Sequence, residues 1–275
     1  MRASLLQIAV EDDESVKSRR LRVSSLVREV AERESPDLIV LPELWTTGAF
    51  GYEAFATEAE PLEGPTYEAM AEAARDAGVW LHAGSVPERA ASDGGAAGEG
   101  ALYNTSLVFS PAGELAGAYR KIHRFGFDKG EAVLMGAGRE LVTVRTPEAV
   151  LGLATCYDLR FPELFRGLVD AGAEVFVVPA GWPARRRAHW SLFARARAVE
   201  DQVIVLACGT AGAHAGVPQA GASVVVDPWG EVLAEAGPSG AEVLTVDLDL
   251  AKVAEVREQF PALKDRRLGV AEPRL

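Results

Sequence analysis

The stretch DLIVLPELW, residues 37–45, decides how the chain is read. Leu38 to Leu41 are continuously apolar, whereas a strand with one wet face would alternate. An unbroken run is the signature of a strand covered on both faces, as in a parallel sheet packed between layers. Pro42 cannot donate to a ladder and ends the strand. A carboxylate, Glu43, follows at once. In open α/β sheets ligands bind off the carboxyl ends of strands, so Glu43 stands where a site would be.

Outward from this strand the periodicity alternates between two and 3.6 residues. Upstream, SLLQIAV (4–10) predicts a buried strand, and residues 18–35 an amphipathic helix with Leu21, Val23, Leu26, Val27 and Val30 inward. Downstream come a helix over 66–78 closed by Gly78, a strand over 79–86 and a hairpin over 103–121 turning at SPAG. The Gly/Ala/Ser-rich segment 87–100 predicts a mobile surface loop. A second series follows: strands at 141–146 and 150–157, a helix at 161–172 and a strand at 173–180. Then come a helix at 184–201, a strand at 202–209, a hairpin at 222–237, a strand at 242–249 and a helix at 251–260. Residues 1–260 read as one layered α/β domain and 261–275 as an extended polar tail, a candidate oligomer arm.

FSPAGEL (109–115) and VDPWGEV (226–232) share one pattern, apolar–Ser/Asp–Pro–x–Gly–Glu–apolar, each at a predicted hairpin tip 117 residues apart. Moving Cys156 back by that spacing lands at Ile39, inside the opening strand. The chain therefore reads as two related halves, with Glu43 and Cys156 at the ends of corresponding strands.

Composition narrows the function. A net charge of −12 argues against a nucleic-acid or anionic membrane surface, and no apolar run is long enough to span a bilayer. Two cysteines in 275 residues make no disulfide framework and predict a reducing, cytoplasmic setting. MRASLLQIAVEDDE reads as a first strand, not a signal peptide. No Cys/His cluster has metal-ligand spacing, and no cofactor is implied.

LATCYDLRFPELFR (153–166) puts Cys156 where a strand gives way to a charged turn. A lone cysteine is most often packing, and a nucleophilic one needs a base. Four histidines could serve; none sits in a local protease signature, and His82 lies in a strand as a core residue. Glu43 is the other available base, and Lys121, in YRKIHRF, could favour thiolate and stabilise an oxyanion. Each is weak alone, since exposed acids and lysines are common.

Together, LPELW around Glu43, YRKIH around Lys121 and CYDLRFPEL around Cys156 resemble the Glu-Lys-Cys triad of the nitrilase superfamily of carbon–nitrogen hydrolases. The resemblance spans nearly the whole chain, including VPAGWP, HWSLFARARAVEDQ and VVVDPWGEV. It implies a four-layer α-β-β-α sandwich of two internally related halves. It implies Glu43 as general base, Cys156 as nucleophile through a thioester, and Lys121 with the Tyr157 N–H as oxyanion holders. EAVLMGAG resembles the segment carrying a further active-site glutamate, here Glu131; the connection from Lys121 is short in this chain. Ala222 stands where relatives often carry histidine.

Tyr157 and Asp158 after the cysteine resemble the amidase and carbamoylase branches. The resemblance points to a small linear amide as substrate, an ω-amide of a carboxylate-bearing acid such as a 2-oxo acid, with ammonia released. An N-carbamoyl amino acid amidohydrolase is the alternative; a catalytically silent binding or scaffold member and a papain-like Cys-His hydrolase are readings of other kinds. Arg160, Arg185, Arg186 and Arg187 are candidate carboxylate binders and Trp182 a candidate pocket wall. The family implies a homodimer or higher homo-oligomer.

Overall fold

The computed structural model describes residues 1–91 and 100–269. The first half runs β1 (Arg2–Gln7), α1 (Val16–Glu34), β2 (Leu38–Val40), α2 (Ala54–Thr57), α3 (Pro65–Ala77), β3 (Trp80–Arg89), β4 (Leu102–Phe109) and β5 (Leu115–Arg120). The second runs α4 (Glu131–Leu134), β6 (Thr143–Arg145), β7 (Val150–Leu153), α5 (Pro162–Asp170), β8 (Val175–Ala180), α6 (Arg187–Asp201) and β9 (Ile204–Gly209). It continues through β10 (Ala213–His214), β11 (Val217–Pro218), β12 (Val224–Val226), β13 (Val232–Glu235), β14 (Glu242–Asp247) and α7 (Ala251–Gln259).

Two six-stranded sheets result, ordered β14-β1-β2-β3-β4-β5 and β13-β12-β9-β8-β7-β6. Their inner faces pack on each other, and helices cover the outer faces. The side chains of β1 and β2 show why: Leu5, Leu38 and Val40 point into the core shared by the sheets, while Leu6 and Ile39 point out to α1 and α3. This is the fully covered strand that the apolar run predicts, within an α-β-β-α sandwich.

The two sheets repeat one topology. β1, β2 and β3 are parallel, flanked by antiparallel β14 on one side and the β4–β5 hairpin on the other. β7, β8 and β9 are parallel, flanked by antiparallel β6 and the β12–β13 hairpin. The related halves are real, but the constant spacing of 117 holds only at the hairpins. Topology pairs β7, the strand before Cys156, with β1; β2, the strand before Glu43, corresponds to β8. Unequal loops accumulate between the hairpins and the first strands, so a single offset misassigns the partners.

The expected helices form, with α1 beginning two residues before the predicted start. Ser15 caps α1 by accepting from the Ser18 N–H, and Gly78 closes α3 in the left-handed region at φ 66°. Val23, Val27 and Val30 are buried, but Leu21 is 63% exposed. Two residues before Val23, it lies about 200° round the helix from the buried stripe. Residues 87–89, expected in a loop, complete β3 against β4; 92–99 lie outside the described residues. The tail is not extended throughout: Ala262–Asp265 form a helical turn and Arg266 pairs with Asp170. Residues 270–275 lie outside the described residues. No described helix is long and apolar enough to cross a membrane.

Candidate functional site

Glu43, Lys121, Glu131 and Cys156 come from four separate segments and meet at one end of the sandwich. After β2 the chain turns sharply, with Leu44 in the left-handed region at φ 44° and its N–H donated to Ser85 Oγ at 3.0 Å. The turn is possible because β3 carries Gly84 beneath it: a Cβ there would stand 2.0 Å from the Pro42 carbonyl oxygen. This bend aims Glu43 inward, where it is 2% exposed.

A buried polar lattice holds the carboxylates. Lys121 Nζ donates to Glu43 Oε1 at 2.6 Å and to Glu131 Oε2 at 2.7 Å. Asn104 Nδ2 bridges the same two groups, at 2.9 Å to Glu43 and 2.6 Å to Glu131. The Gly181 N–H donates to Glu43 Oε2 at 2.8 Å, and the Phe125 N–H to Glu131 Oε2 at 3.0 Å. Glu43 thus accepts three hydrogen bonds of the roughly four a carboxylate offers. Lys121 has three N–H donors and uses two among the described residues. Burial alone would lower the Lys121 ammonium, but Glu131 and Glu43 outweigh it and hold the group well above the usual lysine range. Burial pushes Glu131 up, against Lys121, which lowers it.

Cys156 follows β7 in a short helical turn, Cys156–Arg160, with its backbone at φ 48°. A non-glycine residue in that region costs on the order of 1–3 kcal/mol and persists only when its surroundings impose it. Here they do: the Thr155 side chain accepts from the Asp158 N–H while Asp158 accepts from the Thr155 N–H, a reciprocal cap around the cysteine. Sγ sits 3.9 Å from the Gly181 carbonyl oxygen, so thiol and Glu43 flank the same residue. Burial, then the Glu43 carboxylate, push the thiol well above its ordinary value, and Lys121 only partly opposes them. The ammonium does favour thiolate, as expected, but burial and Glu43 outweigh it, and the group rests as a thiol. The Tyr157 N–H, at the second position of the turn, has no intrahelical partner. Cys208 packs in the core against the carbonyls of Leu6 and Val40 and has no part in this cluster.

Glu43, Glu131 and Cys156 open onto a pocket walled by Phe50, Phe125, Tyr157, Trp182 and Pro183, with Arg160 and Arg186 at its polar side. Of the four candidate arginines these two reach it. Arg187 is spent on the carbonyls of Ala220 and Pro238, and Arg185 is exposed elsewhere. Arg160 lies over the rings of Trp182 and Phe193 and donates to His189 Nδ1 at 3.2 Å. Arg186 lies 5.1 Å over the Phe125 ring, and its guanidinium has no hydrogen-bond acceptor among the described residues. Trp182 donates its indole N–H to the Arg186 carbonyl.

No histidine lines the pocket among the described residues. His82 is buried and lowered to about 4 by burial, and His123 Nδ1 bonds Asp158. A Cys-His pair is thus not built here. Nor is a group of three or more His, Cys, Asp or Glu gathered for a metal among the described residues. Sequence reading missed Asn104 and Gly181. The polar run Asn104–Thr105–Ser106 inside a predicted strand was a signal for the first; the second acts through its backbone and left none.

The carbon-nitrogen hydrolase family pattern matches residues 2–258. A 2-oxoglutaramate amidase of Paenarthrobacter nicotinovorans is 41% identical, over 96% of this chain and 89% of its own. The omega-amidase NIT2 of Mus musculus is 38% identical, over 97% and 95%. Among solved structures, Nit3 of Saccharomyces cerevisiae, a member of the nitrilase superfamily, superimposes with a TM-score of 0.86 at 29% identity, covering 98% of this chain and 97% of that one. The chain belongs to the carbon–nitrogen hydrolase family of the nitrilase superfamily. It is a hydrolase of linear amides.

Proposed function

We propose that the protein is an ω-amidase: it hydrolyses the terminal amide of a short dicarboxylic acid monoamide, a 2-oxo acid amide above all, and releases ammonia. The observation that carries this reading is the pairing of a buried Glu43–Lys121–Cys156 cluster with an arginine, Arg186, that faces the same pocket and has no acceptor among the described residues. The names of the relatives, 2-oxoglutaramate amidase and omega-amidase, support the substrate class.

The chemistry follows from the proton inventory. Because the thiol is protonated at rest, attack needs a base. Glu43 has one acceptor position left, and it takes the Sγ proton as sulfur bonds to the amide carbon. The carbonyl oxygen becomes an oxyanion, held by the unused Lys121 N–H and the Tyr157 N–H, both in place before the charge develops. Glu43 returns its proton to the departing nitrogen, ammonia leaves, and a thioester remains on Cys156. Glu43 then deprotonates water, which attacks the thioester; the acid leaves and the thiol is restored. Glu131 and Asn104 orient Lys121 and Glu43. No cofactor enters these steps. Trp182 and Phe125 wall the pocket, and the distal carboxylate pairs with Arg186, with Arg160 beside it.

On the same footing we infer a cytoplasmic homo-oligomer. Leu192, Val199, Trp229 and Phe260, large apolar residues left exposed on and beside α6, support the assembly.

The test is an ammonia-release screen across ω-amides of 2-oxo acids, other small amides, ureido acids and nitriles, run with Cys156→Ala and Cys208→Ala. The first variant should be folded and inactive, and the second should retain most activity. Mass spectrometry of quenched wild type should find an acyl group on Cys156. Fastest turnover of a ureido acid would move the reading to an N-carbamoyl amidohydrolase, and no turnover with any substrate to a binding protein.

A further inference from the structure

The buried carboxylate of Asp158 touches neither the pocket nor the lattice around Lys121, yet four donors converge on it. We propose that Asp158 is a positioning residue that locks the Cys156 turn to the Lys121 strand, so that one side chain sets the placement of nucleophile against ammonium. The proposal rests on Cys156 being the nucleophile.

The argument lies in where the four donors come from. Oδ2 accepts from the Thr155 N–H at 2.8 Å and the Tyr119 O–H at 2.8 Å. Oδ1 accepts from the His123 N–H at 3.0 Å and from His123 Nδ1 at 2.8 Å. Thr155 and Asp158 bracket Cys156 in sequence. Tyr119 and His123 bracket Lys121. Cys156 follows β7 of the second sheet and Lys121 follows β5 of the first, so the bonds cross the sandwich at the point where the two groups must meet. A carboxylate offers about four acceptor positions, and all are filled. Because it can only accept, His123 carries its proton on Nδ1.

Neighbouring contacts stiffen the same joint. The Tyr119 oxygen accepts from the Ile122 N–H at 3.2 Å, next to Lys121. Burial, with the Asp158 charge, holds this phenol well above its usual range, so it stays a donor. The His123 ring stacks on Phe161 at 3.8 Å with 6° between planes. Ser106 and Thr155 join their hydroxyls at 3.1 Å, a second tie between the halves. An acid that served only to cap the Cys156 turn would need the Thr155 N–H alone. The bonds from Tyr119 and His123 add nothing to that cap; they attach the lysine segment.

An amide at this position cannot serve both halves. Asparagine offers one oxygen and one NH2, so either the Tyr119 and Thr155 donors or the His123 donors face another donor. Asp158→Asn should therefore lower kcat about 100-fold or more, with KM within about threefold of wild type. Tyr119→Phe preserves ring volume and removes one crossing bond, and His123→Ala removes the side-chain bond on Oδ1. Each should lower kcat about tenfold, again without moving KM.

A readout that a purely structural role would not move is the pH dependence of Cys156 alkylation by iodoacetamide. Lys121 holds the thiol down, so a loosened lysine should shift the alkylation midpoint to higher pH in Tyr119→Phe and His123→Ala. Melting temperature is recorded alongside. If both variants melt earlier but keep wild-type kcat and alkylation midpoint, Asp158 is a structural acid and the proposal is overturned. Should Asp158→Asn fail to fold, the two milder variants decide. Cys156→Ala is run in parallel: its inactivity beside a normal Tyr119→Phe enzyme defeats the clamp alone, whereas activity in Cys156→Ala defeats the nucleophile reading itself.

Discussion

Replacing Glu131 by glutamine keeps the shape of the side chain and removes one charge from the lattice. Three donors meet the carboxylate: Lys121 Nζ at 2.7 Å and the Phe125 N–H at 3.0 Å on Oε2, and Asn104 Nδ2 at 2.6 Å on Oε1. Glutamine has a single oxygen. Turned toward Lys121 and Phe125, it sets its own NH2 against Asn104; turned the other way, it sets it against two donors. The first orientation loses one charge-assisted bond, about 1.5–3 kcal/mol, and weakens the other two. Asn104 also holds Glu43, so its displacement is passed to the base. Part of the loss falls on folding. The part that falls on the transition state should lower kcat about 100-fold, roughly 2.7 kcal/mol, with KM within about threefold. The assay is steady-state ammonia release at saturating ω-amide, with melting temperature as the control for folding. A kcat within about threefold of wild type would refute the orienting role. A raised KM at unchanged kcat would instead place Glu131 in substrate binding.

Two further outcomes test the remaining parts of the site. Glu43→Gln should collapse kcat while moving the Cys156 alkylation midpoint to lower pH, because the charge that raises the thiol is gone; a midpoint that stays or rises would show that Glu43 does not face the sulfur. Arg186→Ala should raise KM for a carboxylate-bearing amide by about 10–100-fold, the equivalent of a charged hydrogen bond, and leave the methyl ester unaffected; equal effects on acid and ester would remove anion recognition at Arg186.

Much of the architecture was written locally. The apolar run Leu38–Leu41 requires a strand with both faces covered, Gly78 marks a helix end, and two Pro-x-Gly turns show that the halves are related. Glu43, Lys121, Glu131 and Cys156 were legible because each sits just past a strand or opens a short helix, with a local sequence distinctive enough to be matched. Leu21 shows the limit of periodicity: an apolar residue near a buried stripe need not belong to it, and only packing decides.

The tertiary structure decided what depends on groups far apart in the chain. Asn104 lies 61 residues from Glu43 and Gly181 lies 138, so no local pattern reveals that both donate to one carboxylate. The choice among four arginines was equally hidden, since all four are charged and near strand ends; backbone carbonyls occupy Arg187, while Arg186 faces the pocket. The protonation of Cys156 was not a property of its sequence either. It is set by the burial and the Glu43 charge that folding brings to the sulfur, against the Lys121 charge. Sequence determines which groups exist and which backbone shapes are cheap. The free energy of a buried proton depends on distances and solvent exclusion, and those exist only once the two sheets have closed on each other.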